Sequence, residues 1–291
     1  MSDAESSDPE RGDSDSENPG ETTAGVILDQ VVTLVVAITI ALAIRQFLVE
    51  PFRIPSGSMF PTLLIGDHLF VNKLSYGPRI PFTDIRVPGL REPERGDVVV
   101  FEVARPLNRR TGQRDIQPVD YAPEGAPRED FVKRLVGLPG DKIDWRDGQL
   151  VINGVRLPVE SDPNDFEDDS GRRLLRKWED LGACRHQILD DPRKRIPSSV
   201  KDVLIVPEGR YFFMGDNREN SNDSRGWGTV RLEELKGPAF ILYWSWDVNG
   251  NMMSFFNPIN WWSSEKRWDR VFDRVRCDEA EAPVALTVSA D

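Results

Sequence analysis

Cysteine and histidine are almost missing from this chain: Cys184, Cys277, His68 and His186 are all it has in 291 residues. So few candidate ligands exclude a disulfide-rich scaffold, a four-cysteine zinc site and a His-rich metal centre. A surplus of positive charge is missing as well. The formal net charge is −12, which argues against a nucleic-acid-binding surface. Much of that charge is local: residues 1–25 hold eight acidic residues and one Arg, giving −7 and leaving −5 for the remainder. The segment has no aromatic residue and too little apolar surface to form a core, so it reads as a disordered acidic tail. No internal repeat is visible, and the length suits one large or two ordinary domains.

What is present begins with an apolar run. From Gln30 to Ile44 there is no charge, and Val, Ile, Leu and Ala dominate. Extended to Val26 and Leu48, the run reaches membrane-spanning length if Asp29 and Arg45 reach out to the interfaces. A buried core helix and a cleavable secretory signal are the competing readings. The flank ahead of the run is acidic where a secretory signal is basic, and Ala41-Leu42-Ala43 lies inside the run and not after it. An uncleaved single-pass anchor is therefore expected over residues 26–49. The flanking charge does not fix its orientation, because Arg45 and Arg53 follow the run.

Beyond the anchor, short β-branched runs alternate with Pro, Gly and Asp turns. Strands are expected at His68–Asn72, Asp97–Phe101, Phe131–Val136, Lys142–Trp145, Gln149–Ile152, Val203–Val206, Tyr211–Met214 and Ala239–Trp246. This spacing predicts a mostly β fold of antiparallel sheets. Asp147-Gly148 and Asn153-Gly154 read as turns flanking a short strand. Residues 105–128 read as an exposed loop. Residues 160–200 are highly charged, with a short helix expected near Arg172–Leu181 and an exposed His186; His68 is expected to pack within its strand.

Three segments carry candidate chemistry. Pro55-Ser56-Gly57-Ser58-Met59-Phe60-Pro61-Thr62-Leu63 holds a serine beside a glycine between stiffening prolines. Such a serine is a nucleophile only with a base to take its proton; otherwise the stretch is a turn leading into a strand. Phe131–Asp141 places Lys133 in an apolar strand, sharing a face with Phe131 and Leu135 and opposite Val132 and Arg134. If that face is buried, desolvation yields a neutral amine able to act as a base; if not, this is an ordinary surface lysine. Met214–Gly228 packs Asp, Asn, Arg and Ser between glycines, as a loop that holds side chains in place or as a polar surface turn.

Taken in order, these segments resemble the bacterial type I signal peptidase (leader peptidase) family of Ser–Lys serine proteases. The resemblance rests on the anchor, Glu50–Leu63, Arg95-Gly96-Asp97-Val98-Val99-Val100-Phe101, Lys133-Arg134 with Gly137–Asp141, and Gly215-Asp216-Asn217-Arg218 through Asp223-Ser224-Arg225. It spans roughly residues 45–230, with a weaker echo at Arg267-Trp268-Asp269-Arg270. Several independent motifs in the right order are far more specific than any one.

The resemblance implies a Ser58 nucleophile and a Lys133 general base, with the Ser58 N–H and the Ser56 hydroxyl as oxyanion hole. It implies that Ser221 orients the lysine amine, with Asp216, Arg218, Asp223, Arg225 and Arg134 in support. Phe52, Ile54, Pro55, Met59, Val100 and Val132 would line pockets for the small side chains of Ala-x-Ala-like sites. No cofactor and no metal is implied. The partners implied are secretory preproteins with their signal peptides, the lipid bilayer and, transiently, the protein export machinery; nucleic acid is not among them. The implied location is the bacterial cytoplasmic (inner) membrane, with the catalytic domain on the outer face. The expected organisation is an acidic tail (1–25), an anchor (26–49), a β-rich peptidase domain (50–276) with a charged insertion at about 147–200, and a C-terminal tail (277–291). The aromatic stretch Val248–Ser264 matches nothing in the family pattern, and Cys184 and Cys277 are read equally as a disulfide or as two buried thiols. A silent precursor-binding relative and a repressor-type Ser–Lys autoprotease are the alternatives; the intact Ser58 and Lys133 count against the first, the anchor against the second.

Overall fold

The computed structural model describes residues 23–80, 83, 85–182, 184–194, 203–246, 266–279 and 286. The acidic tail up to residue 22 and the aromatic stretch around 248–264 lie outside the described residues.

Along the chain, helix α1 (Thr23–Phe47) is followed by β1 (Val49–Arg53), β2 (Asp67–Asn72), β3 (Val98–Ala104) and β4 (Arg128–Gly137). Next come β5 (Lys142–Arg146), β6 (Gln149–Ile152), β7 (Val155–Arg156), β8 (Val159–Ser161), β9 (Phe166–Glu167), β10 (Arg173–Asp180), β11 (Cys184–Asp190) and β12 (Leu204–Ile205). The chain returns through β13 (Arg210–Met214), β14 (Val230–Arg231), β15 (Leu235–Ser245) and β16 (Asp278–Glu279). The architecture is mostly antiparallel sheet with one N-terminal apolar helix. Within α1, Gly25–Phe47 is long and apolar enough to cross a membrane, with mean hydropathy 2.4. At 1.5 Å per residue it would extend about 35 Å, enough for a hydrocarbon core.

Chain contacts divide into two units, 1–43 and 44–291. In the second, a seven-stranded sheet runs β1-β2-β15-β3-β4-β13-β14, with a four-stranded sheet β12-β5-β6-β7 and a five-stranded sheet β16-β11-β10-β8 in which β9 also pairs with β10. Strand β3 explains why Val98-Val99-Val100-Phe101 does not alternate with polar residues: both of its faces are buried. Val98 and Val100 enter a cluster with Ile54, Met59, Leu69 and Leu242, whereas Val99, Phe101 and Val103 enter another with Leu135, Phe213 and Val230. A third cluster around Trp145, Leu150, Ile152 and Phe212 fills the space beside the four-stranded sheet. The two expected turns are present. Asp147 and Gly148 take φ of 51° and 77°, and Asn153 and Gly154 take 52° and 81°, the left-handed pairs that two-residue hairpins need.

The charged region differs from expectation. Residues Arg173–Asp180, placed in the expected helix, form strand β10, paired antiparallel with β11 from Leu175–Asp190 to Asp180–Arg185. Leu174 and Glu179 are buried, and a strand register sets both against partners from elsewhere in the chain. The cysteines are joined: Cys184 on β11 is disulfide-bonded to Cys277, with Cα atoms 5.4 Å apart. This ties the C-terminal segment to the inserted sheet, and β16 extends that sheet by pairing with β11.

Candidate active site

The serine segment is a tight loop pinched at its base. Ile54 N–H donates to the Asp67 carbonyl (2.8 Å) and Gly66 N–H to the Ile54 carbonyl (3.1 Å). At its head, Gly57–Met59 forms one 3-10 turn after an extended Ser56, and the Phe60–Pro61 bond is cis. Ser56 and Pro55 are exposed, whereas Ser58 is buried to 9% exposure.

Strand β4 brings Lys133 to this loop. Lys133 pairs with Val99 and Val132 with Val100, so the two side chains leave the sheet on opposite faces. The lysine face is the one with Phe131 and Leu135, and it is buried. The Lys133 amine, 4% exposed as a residue, donates to Ser58 Oγ at 2.6 Å and to the Val132 carbonyl at 3.0 Å. Ser56 Oγ stands 3.5 Å from Ser58 Oγ. Burial is the main force on the amine and lowers its pKa from 10.5 to about 8; Asp223 and Asp216 push the other way, and Arg225 lowers it again.

The polar loop after β13 supports both partners. Asn217 donates its side-chain amide to the Gly57 carbonyl (2.9 Å) and its N–H to the Ser58 carbonyl (3.1 Å), so it grips the serine turn from behind. Arg134 binds Asp216 with two N–H groups, Nε to Oδ1 at 2.8 Å and Nη2 to Oδ2 at 2.6 Å, and both residues are 1% exposed. Thr62 joins them, donating to Asp216 Oδ2 at 2.6 Å and accepting from Arg134 at 3.2 Å. Asp223 accepts Arg225 at 2.8 Å on each oxygen and the Gly215 N–H at 3.0 Å. Burial alone would raise the Asp223 pKa, but the charge and hydrogen bonds of Arg225 outweigh it and hold the carboxyl below its usual range. Gly215 is irreplaceable for a steric reason: a Cβ there would lie 2.3 Å from Ser221 Oγ and 2.5 Å from the Ser58 carbonyl. The Ser221 hydroxyl is buried beside Asp223, helps hold that carboxyl below its usual range, and is not one of the two acceptors of the lysine amine.

Phe52, Ile54, Met59, Val100 and Val132 gather in one apolar cluster beside the serine turn; Pro55 stays at the surface. His68 is half-buried on β2, with its ring against Tyr243 and Trp246. His186, expected to be exposed, is 3% exposed on β11 and lies between the carboxylates of Glu179 and Asp216. Glu179 is its cross-strand partner on β10, but Asp216 arrives from the distant polar loop, so no local pattern in the charged region announces its burial. Thr62, Asn217, Gly215, Glu179 and His186 are the site residues that the sequence did not single out. The first three lie inside recognised motifs, but nothing near Glu179 marks it. Among the described residues, no three His, Cys, Asp or Glu side chains gather as a metal site would require.

The family model for signal peptidase, peptidase S26, matches residues 27–244. A signal peptidase I of Pseudomonas fluorescens is 40% identical over 221 residues, covering 71% of this chain and 69% of that protein. One from Pseudomonas aeruginosa is 39% identical over 219 residues, with the same coverage of 71% and 69%. One from Rickettsia akari is 33% identical over 256 residues, covering 81% of this chain and 88% of that protein. The chain therefore belongs to the signal peptidase family of serine proteases, peptidase S26.

Proposed function

We propose that this protein removes N-terminal signal peptides from exported preproteins through a Ser58–Lys133 pair, cutting after Ala-x-Ala-like sites. The observation that carries the reading is the buried Lys133 amine 2.6 Å from Ser58 Oγ. In the neutral amine the nitrogen lone pair is free, and the short contact serves proton transfer in the opposite sense. As Ser58 Oγ attacks the scissile carbonyl, its proton passes to Lys133 Nζ and the C=O electrons move onto oxygen. The Ser58 N–H and the exposed Ser56 hydroxyl receive that oxyanion. Collapse expels the new N-terminus of the mature chain, protonated by Lys133, and leaves an acyl-serine that water hydrolyses under the same base. Ser221 packs against Gly215 beside Asp223, and in this reading its hydroxyl orients the lysine amine. Ile54, Val100 and Val132, with Phe52 and Met59, offer an apolar wall that accepts a methyl and excludes larger groups.

Ser58→Ala should abolish cleavage of a preprotein by the detergent-solubilised protein while leaving its unfolding midpoint unchanged. Wild-type activity should fall as pH drops through about 8, because protonation of Lys133 removes the base. Lys133→Arg should be inactive at every pH. Turnover by either variant would transfer the role to another residue.

Ser56→Ala should lower kcat and spare KM, losing about 2.7–4 kcal/mol of transition-state stabilisation typical of one oxyanion donor. A rise in KM alone would make Ser56 a substrate-binding residue instead.

We further place the protein in the bacterial inner membrane, with residues 50–291 on the outer face. The bond between Cys184 and Cys277 belongs to an oxidising compartment. Arg45 and Arg53 oppose this orientation, but a large folded domain translocates despite modest flanking charge. Protease added to intact spheroplasts should digest the large domain, and protein denatured without reductant should show no free thiol. Protection of that domain, or two free thiols, would reverse the orientation.

A further inference from the structure

We propose that Glu179, supplied by the inserted sheet, is a positioning residue for the catalytic pair: by neutralising Arg218 it leaves Asp216 to Arg134 and Thr62, and so holds the serine turn against Lys133. The inference rests on the reading that Ser58 and Lys133 perform the chemistry.

Glu179 on β10 is 0% exposed and Arg218 is 2% exposed. They meet through two parallel N–H···O contacts, Arg218 Nη1 to Oε1 at 2.7 Å and Nη2 to Oε2. Arg218 follows directly on Asp216 and Asn217, the residues that hold Arg134, Thr62 and the serine turn. The inserted sheet also reaches this loop through its backbone, since Leu189 N–H donates to the Asp216 carbonyl at 2.9 Å. His186 stands between the two ion pairs, with Nε2 at 3.6 Å from Glu179 and 3.7 Å from Asp216. Both of its ring nitrogens lack a hydrogen-bond partner, and burial, then Arg134 and Arg218, keep it neutral. It is a spacer that keeps the carboxylates apart. The cluster of Arg134, Arg218, Asp216 and Glu179 thus has no net charge. Asp190 on β11 also acts on Arg218, but it is paired with Lys177. Arg225 donates to the Arg218 carbonyl at 2.5 Å, and the Trp145 ring faces both guanidinium groups.

A buried guanidinium deprived of its carboxylate seeks another. For Arg218 that is Asp216, whose field already acts on it. Arg218 would then compete with Arg134 for Asp216, loosen Thr62, and bring uncompensated positive charge toward an amine that also feels Asp216, Asp223 and Arg225. A positive charge disfavours the protonated amine, so loss of Glu179 should move the acid limb of the pH–rate profile down. Loss of Arg218 should move it up.

The test measures kcat, KM and the acid limb for preprotein cleavage by full-length protein in detergent. It compares wild type, Glu179→Gln, Arg218→Gln and the double variant Glu179→Gln/Arg218→Gln. Glu179→Gln should lose kcat by roughly ten- to a hundredfold with KM nearly unchanged, as misplaced reacting groups do, and its limb should shift to lower pH. Arg218→Gln should shift the limb to higher pH, and the charge-neutral double variant should return it to the wild-type position. If one single variant does not fold, the other and the double decide. A merely structural Glu179 would reduce the amount of active enzyme with the limb unmoved in every variant, and that result overturns the proposal. Wild-type protein with no Ser58-dependent cleavage would instead defeat the underlying reading, before any Glu179 variant is read.

Discussion

An amine inside a β-sheet is the constraint on which the rest of this site depends. A charged lysine in such a place would pay a desolvation cost that a single hydrogen bond does not return. The protein meets the cost by favouring the neutral form, and burial is the largest influence on Lys133. Two buried aspartates lie close enough to reverse this, because Asp216 and Asp223 both favour the charged amine. Each is held by an arginine, Asp216 by Arg134 and Asp223 by Arg225. The arginines thus keep the carboxylates as scaffolding and blunt their pull on the lysine.

The same pairs set geometry. Thr62 lies in the loop that carries Ser58 and hydrogen-bonds both members of the Arg134–Asp216 pair. Asn217, next to Asp216, holds the Gly57 and Ser58 carbonyls, the two that flank the Ser58 Cα. Serine turn, lysine strand and polar loop therefore cannot shift independently. The inserted sheet is bound into this unit by the Glu179–Arg218 pair and by the disulfide, whose Cys277 sulfur lies 3.8 Å from Arg134 Nη1.

Much of this was legible in the sequence, and the remainder was hidden for identifiable reasons. Strand period alone put Lys133 on the face with Phe131 and Leu135, and the structure places it there; whether that face was buried depended on distant segments that pack against it, the Ser58 turn among them, which strand period does not reveal. The paired turns at Asp147-Gly148 and Asn153-Gly154 were readable because only a few residues accept positive φ. The segment Arg173–Asp180 misled because its many charges mimic a solvated helix. In the folded chain its exposed face is a strand face, and its buried charge, Glu179, is satisfied by Arg218 from a distant loop. His186 was misplaced for the same reason. The cysteine pairing spans 93 residues and could not be chosen from spacing.

The central claim, that burial lowers the Lys133 pKa far enough for the neutral amine to act as base, is tested most directly by titrating its side-chain nitrogen. In full-length protein with 15N-labelled lysine, the Nζ resonance lost in Lys133→Ala identifies the group. A midpoint near 8, well below the ordinary 10.5, is the predicted result. A midpoint at the ordinary lysine value would contradict the account, because the amine beside Ser58 would then be charged and unable to accept its proton.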